Sequence, residues 1–158
     1  MAEIYIKIEG ITGECKDTKH KNWVEALSLT YGVSQSSSMF TGGGGGVGKA
    51  DFDSLSFLHY YDRASPNLFK FCAAGKHIPT VEVSLCKSGG GQQEFAHLTL
   101  SDVLVMRTGM SGAGGEDIPT ELVELSYARI KIAVKEQNAD GSVGAETTGS
   151  WNVKENKE

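Results

Sequence analysis

From Glu3 to Glu9 the chain alternates, with Ile4, Ile6 and Ile8 on one side and Tyr5, Lys7 and Glu9 on the other. That period-2 pattern predicts a half-buried strand. A turn over Gly10–Gly13 follows, and Trp23–Gln35 alternates again, setting Leu27, Leu29, Tyr31 and Val33 against Ser28, Thr30 and Ser34. The small polar side suits a water-lined surface better than a core. Phe52–Tyr61 repeats the pattern, and then the period changes. Ser65-Pro66 predicts a helix start, with serine as N-cap and proline where its missing N–H costs nothing. Leu68, Phe69, Cys72 and Ala73 fall on one helical face, and Gly75 is placed to end the helix.

The remainder reads as strands over 80–87, 94–107, 121–137 and 147–153. Two of them change parity midway. Leu98 and Leu100 give way to Val103 and Val105, and Val123, Leu125 and Tyr127 give way to Ile130, Ile132 and Val134. A bulge, or a strand passing from one sheet to a second, produces such a slip. The pattern therefore predicts a mainly β fold: an antiparallel β-barrel of two sheets, one flanking α-helix and a long projecting loop over 34–51. The chain of 158 residues fits a single domain spanning 1–158.

Composition narrows the function. A net charge of −5 and the absence of a lysine-rich run argue against nucleic-acid binding, which needs a basic stripe to displace counterions. No apolar run is long enough to span a bilayer as a helix, and the N-terminus lacks the pattern of a cleavable signal peptide. Cys15, Cys72 and Cys86 are odd in number without C-x-x-C spacing, which suits reduced cytosolic thiols better than a disulfide or zinc framework. The four histidines stand singly, so neither a metal nor another cofactor is expected. Cys15 near His20 lacks a third positioned group for thiol catalysis. Gly109-Met110-Ser111-Gly112-Ala113 approaches a nucleophile elbow but lacks its last glycine and its helix. Asp51 and Asp53 read as solvated edge charges.

The segment Met39-Phe40-Thr41 followed by Gly42, Gly43, Gly44, Gly45, Gly46, Val47, Gly48 and Lys49 is the most unusual stretch. Gly43–Lys49 spells G-x-x-x-x-G-K, whose backbone N–H groups and lysine could hold phosphates. Ala50 stands where a magnesium-binding hydroxyl belongs, and the flanks do not read as strand then helix. The other reading is an assembly arm with Met39 and Phe40 as apolar anchors. Fixing Met39–Ala50 costs about 1–2 kcal/mol of backbone entropy per residue, so contact with an adjacent subunit or ring is expected to order it.

Several separated motifs, in one order, carry a resemblance. They are Ile6-Lys7-Ile8-Glu9-Gly10 with Gly13-Glu14, Gly32-Val33-Ser34-Gln35, Ser65-Pro66-Asn67-Leu68-Phe69 and Gly75-Lys76-His77-Ile78. Thr99-Leu100-Ser101-Asp102-Val103-Leu104-Val105, Gly115-Glu116-Asp117 and Gly149-Ser150-Trp151-Asn152 complete the set. Together they resemble the haemolysin-coregulated protein (Hcp) family, the tube-forming subunits of the type VI secretion system. The resemblance implies a non-enzymatic homohexameric ring, stacked into a tube inside a contractile sheath and capped by a valine-glycine-repeat spike protein. It also implies cytoplasmic assembly, export by the type VI route, a role in virulence and bacterial competition, and small effector proteins carried in the lumen. Some relatives bear a C-terminal toxin domain; with seven residues after Trp151, no such extension is expected here. Joined to the alternation, it makes Ser28 and Thr30 candidates for the lumen wall. The alternatives are a nucleotide-binding enzyme using Gly43–Lys49 and a monomeric barrel for a small ligand.

Overall fold

The computed structural model describes residues 2–35, 48–89 and 91–158. Nine strands and one helix follow one another as β1 (Ala2–Ile8), β2 (Val24–Thr30), β3 (Val33–Ser34), β4 (Asp51–Phe52), β5 (Leu55–Tyr60), α1 (Ser65–Ala74), β6 (Ile78–Lys87), β7 (Glu94–Ser111), β8 (Thr120–Gln137) and β9 (Val143–Asn152). The main sheet runs β5-β2-β1-β6-β7-β8-β9, and β5 also pairs with β8. All these pairings are antiparallel, so six strands close a barrel and β9 extends beyond it.

The parity slips mark where the barrel folds into two layers. Asp102 sits at φ 51°, a left-handed conformation uncommon outside glycine that turns the next side chain to the other face. Pairing resumes from Ser101–Arg129 to Val103–Tyr127 without a change of offset. Both strands therefore turn the corner together, at Asp102 and Ala128, and no inserted residue is involved. A bulge does occur one turn further on, between Val105 and Arg107. The first half of β7 and the second half of β8 join β1, β6 and β9 in an outer layer. Their other halves join β5 and the end of β2 in an inner layer.

Between the layers lies the core: Ile6, Ile8, Phe57, Leu68, Val81, Val83, Leu98, Leu100, Val123 and Leu125 are each at most 2 % exposed. Helix α1 packs Leu68, Phe71 and Cys72 against it. Two expectations for the helix are corrected. The N-cap is Ala64, not Ser65: Asp62 Oδ1 accepts the Ala64 N–H at 2.9 Å and Ser65 Oγ accepts the Asp62 N–H at 3.1 Å, so the acceptor work falls one turn earlier. Phe69 is 64 % exposed, because the buried stripe runs through Leu68, Phe71 and Cys72. Gly75 ends the helix as expected, at φ 63°.

The run 23–35 is likewise not one strand. With Val24 and Ala26 buried, alternation sets Leu27 outward, and a register shift between Ala26 and Ser28 then turns Leu29, not Ser28, to the core. After Thr30 the chain leaves the main sheet, and Val33–Ser34 pairs with Asp51–Phe52 in a separate two-stranded ribbon. Leu29 alone of the expected apolar set packs against the core, while Tyr31 and Val33 stay exposed.

Candidate functional site

Ser28 and Thr30 are both exposed, and the register joins them into a wall. Ser28 pairs with Leu58 and Leu58 with Leu122, which pairs with Gly109; Thr30 pairs with Ser56, Ser56 with Glu124, and Glu124 with Arg107. Directly opposite residues share a face, so the inner layer presents Ser28, Thr30, Ser56, Glu124 and Arg107 away from the core. Glu124 and Arg107 balance in charge, and with Leu58, Leu122 and Gly109 on the same face the surface is nearly neutral and mixed in polarity. The sequence signalled the β2 members of this wall; Glu124 and Arg107 join it only through strand register.

The same layer has two unpaired edges. β1 accompanies β2 only over Val24–Ala26, and β6 accompanies β7 only as far as Val103. Ser28–Thr30, paired with β5, and Leu104–Ser111, paired with β8, therefore have no strand neighbour on their other side among the described residues. An unpaired edge offers free N–H and C=O groups to another chain.

The described flank of the glycine segment does not lead into a helix. Gly48 and Lys49 are exposed, and the chain enters β4, a two-residue strand, rather than a helix. A phosphate site needs a helix N-terminus at that point. The candidates Met39, Phe40, Gly42–Gly46 and Val47 lie outside the described residues.

A polar constellation that the sequence did not signal lies on the outer layer beneath residues 12–22. His20 Nδ1 donates to Asp17 Oδ2 at 2.7 Å, and His20 Nε2 lies 3.2 Å from Ser84 Oγ. An Asp–His–Ser order invites comparison with a hydrolase triad. Here Ser84 is fully buried, and its hydroxyl is committed as a donor to Glu94. His97 continues the chain, with Nδ1 3.0 Å from Glu94 and Nε2 3.3 Å from Glu82. Burial raises the Glu94 carboxyl, but hydrogen bonds from Ser84 and His97 more than offset this and hold it below the usual range. Tyr5 stacks on His20 with centroids 4.1 Å apart and packs with Cys15, Cys86 and Trp23. Burial pushes both thiols up, so neither is a ready nucleophile. This arrangement pins a loop; it does not activate a hydroxyl.

Inside the barrel, His59 Nε2 lies 2.8 Å from Glu121 Oε1, both nearly fully buried. His59 Nδ1 has no hydrogen-bond partner, and Asp62 stands 3.8 Å away, its carboxyl raised by burial. His77 meets Asp102 at 2.6 Å on the surface, so each histidine contacts a carboxylate. Among the described residues no three His, Cys, Asp or Glu side chains are grouped to hold a metal ion.

A closed barrel carrying a solvent-facing wall flanked by two open strand edges has the form of an assembly subunit. The comparisons agree. Residues 5–134 match the family model described as "Type VI secretion system effector, Hcp". The chain is 40% identical over 156 residues to Protein hcp1 of Pseudomonas aeruginosa, covering 98% of this chain and 96% of that protein. A solved type six secretion system protein superposes with a TM-score of 0.94 at 29% identity, covering 99% of both chains. Hcp1 from Salmonella typhimurium superposes at 0.84 with 40% identity, covering 99% of this chain and 98% of that one. The chain belongs to the Hcp family, and it is a non-enzymatic structural tube protein of the type VI secretion system.

Proposed function

We propose that six copies join head to tail into a ring, that rings stack into a tube, and that the Ser28–Thr30 wall lines the lumen. The observation that carries this reading is the pair of unpaired edges on one four-stranded layer. The strand order β7-β8-β5-β2 is antiparallel throughout, so the β2 edge of one copy meets the β7 edge of the next in antiparallel sense. Such a contact is heterologous, and it closes when the rotation per copy divides a full turn. Each ring then presents one continuous wall inward, suited to weak, reversible contact with small effector proteins. Residues 34–51 are taken as the arm that engages the adjacent ring. The spike protein, the sheath and export through the type VI route are the partners and destination this reading brings with it.

Mass photometry tests the ring directly. The expected particle has six times the 16.9 kDa chain mass, and a monomer at micromolar concentration refutes it. Deleting Gly42–Gly46 is expected to keep rings but to impair their stacking in negative-stain images. Unaltered tubes in that deletion count against the arm.

A further inference from the structure

The open edge of β7, Leu104–Ser111, is not guarded in the way free edges usually are. Solvated edges commonly carry lysine or proline, which discourage pairing. This one runs Leu-Val-Met-Arg-Thr-Gly-Met-Ser, with Arg107 as its single charge. Met106, left unpaired by the bulge between Val105 and Arg107, is 58 % exposed, and Met110 is 60 % exposed. The other open edge, Ser28–Thr30, is flanked by the exposed apolar side chains of Leu27 and Tyr31. Two thioethers therefore stand in water on the single copy, along an edge that the ring reading joins to another copy.

Their exposure sets them apart from the thiols. Cys15 and Cys86 are buried, and Cys72 is partly buried against the core. Burial pushes the Cys15 and Cys86 thiols up, which withholds the reactive thiolate. A thioether has no proton to lose and reacts as it stands, so exposure governs its oxidation. We propose that Met106 and Met110 form an oxidation-sensitive modification site: a two-electron oxidant such as hydrogen peroxide converts them to sulfoxides on the free subunit and withdraws the β7 edge from ring closure. This inference rests on the ring reading and adds a control on it. In the step, a sulfur lone pair attacks one peroxide oxygen, and the S–O bond forms as the O–O bond breaks. The departing hydroxide takes the proton of the transferred oxygen and leaves as water, so sulfur loses the two electrons that the peroxide gains. The sulfoxide turns a flexible apolar side chain into a polar one. Burying it against the apolar side chains of a second copy without a donor is unfavourable. A closed ring covers the edge, so assembled subunits resist the same oxidant.

Peroxide treatment of the dilute, unassembled chain, read by peptide mass spectrometry and mass photometry, tests this. Oxygen addition at both Met106 and Met110 is expected to weaken the contact between copies about tenfold or more, leaving monomers where the untreated chain forms rings. Methionine sulfoxide reductases are expected to restore the rings. Met106→Leu/Met110→Leu removes both sulfurs and is expected to form rings before and after peroxide. Met106→Gln/Met110→Gln places polar groups there and is expected to stay monomeric without any oxidant. Both positions are exposed, and circular dichroism and a thermal midpoint matching the parent's check that each variant folds. Rings from the doubly oxidised chain or from the glutamine variant overturn the inference while leaving the ring reading standing. So does a leucine variant that lacks rings or loses them to peroxide. An untreated parent chain that stays monomeric overturns both.

Discussion

The two layers of this barrel are built largely from the same two strands, yet they are finished differently. On the outer layer residues 12–22 fold back over Tyr5, Ser84 and Cys86, tied down through His20, Asp17 and Glu94. Arg63 holds the same loop, donating from Nε to the Gly13 carbonyl at 2.7 Å and from its guanidinium to Asn22 at 2.9 Å. Among the described residues nothing comparable covers the inner layer, whose Ser28 and Thr30 face solvent and whose edges lack a second strand neighbour. The difference separates two uses of a sheet face. A face closed by its own chain contributes to the stability of the subunit, whereas a face left bare with open edges is available to other copies.

The largest effect on this contrast is expected from a change that damages both layers. Phe57, 1 % exposed between them, should cost about 3–5 kcal/mol when replaced by alanine. Denaturant unfolding measures this, and a loss below about 1 kcal/mol would mean that the layers do not share one core. His20→Ala should act on the outer layer alone. It removes the contacts to Asp17 and Ser84 and the stack on Tyr5, for about 1–3 kcal/mol. Cys15 and Cys86 should then label faster with a thiol reagent while assembly is retained. Equal labelling rates in parent and variant would show that the loop is held by other contacts.

Acid sharpens the same comparison. The folded-state carboxyl of Glu94 is held below its ordinary value, so its contribution is present above the usual glutamate range, near 4.3. It is lost as pH falls through the lower folded-state value. Glu94→Gln should therefore be less stable than the parent at neutral pH and lose less stability on acidification. Parallel stability–pH curves for the two would refute the assignment. The smallest thermodynamic effect belongs to the inner wall. Thr30→Gln should change stability by less than about 0.5 kcal/mol yet alter co-purification of small client proteins. Thr99→Gln, on the outer face of the outer layer, should change neither. Identical client recovery in all three chains, with rings intact, would remove Thr30 from the lumen wall.

Much of this was legible in the sequence for a definite reason. Alternation records burial, so the shift from Leu98 and Leu100 to Val103 and Val105 announced the corner before any coordinate did. Gly75 announced the helix end because few other residues enter a left-handed conformation readily. Alternation records only the chain's own facing, however. A one-residue irregularity at Ala26/Ser28 brought Leu29 to the core face and left Leu27 outside it, and no local pattern encodes it. The helix start was displaced because Asp62, three residues ahead of Ser65, supplied the acceptor. Glu124 and Arg107 entered the inner wall through pairing with distant strands, as did the His20–Ser84 contact, which spans 64 positions. The family itself was legible because several separated motifs recur in one order, a signal that does not depend on register.

The corner at Asp102 and Ala128 has a mechanical consequence. β7 and β8 are each 18 residues long and run unbroken from one layer into the other. Force applied to one layer therefore reaches the other along two covalent backbones, not across a sliding contact between sheets. The layers of one subunit cannot delaminate without breaking the core. A tube of such subunits, driven forward from behind, would fail between copies before it failed within one.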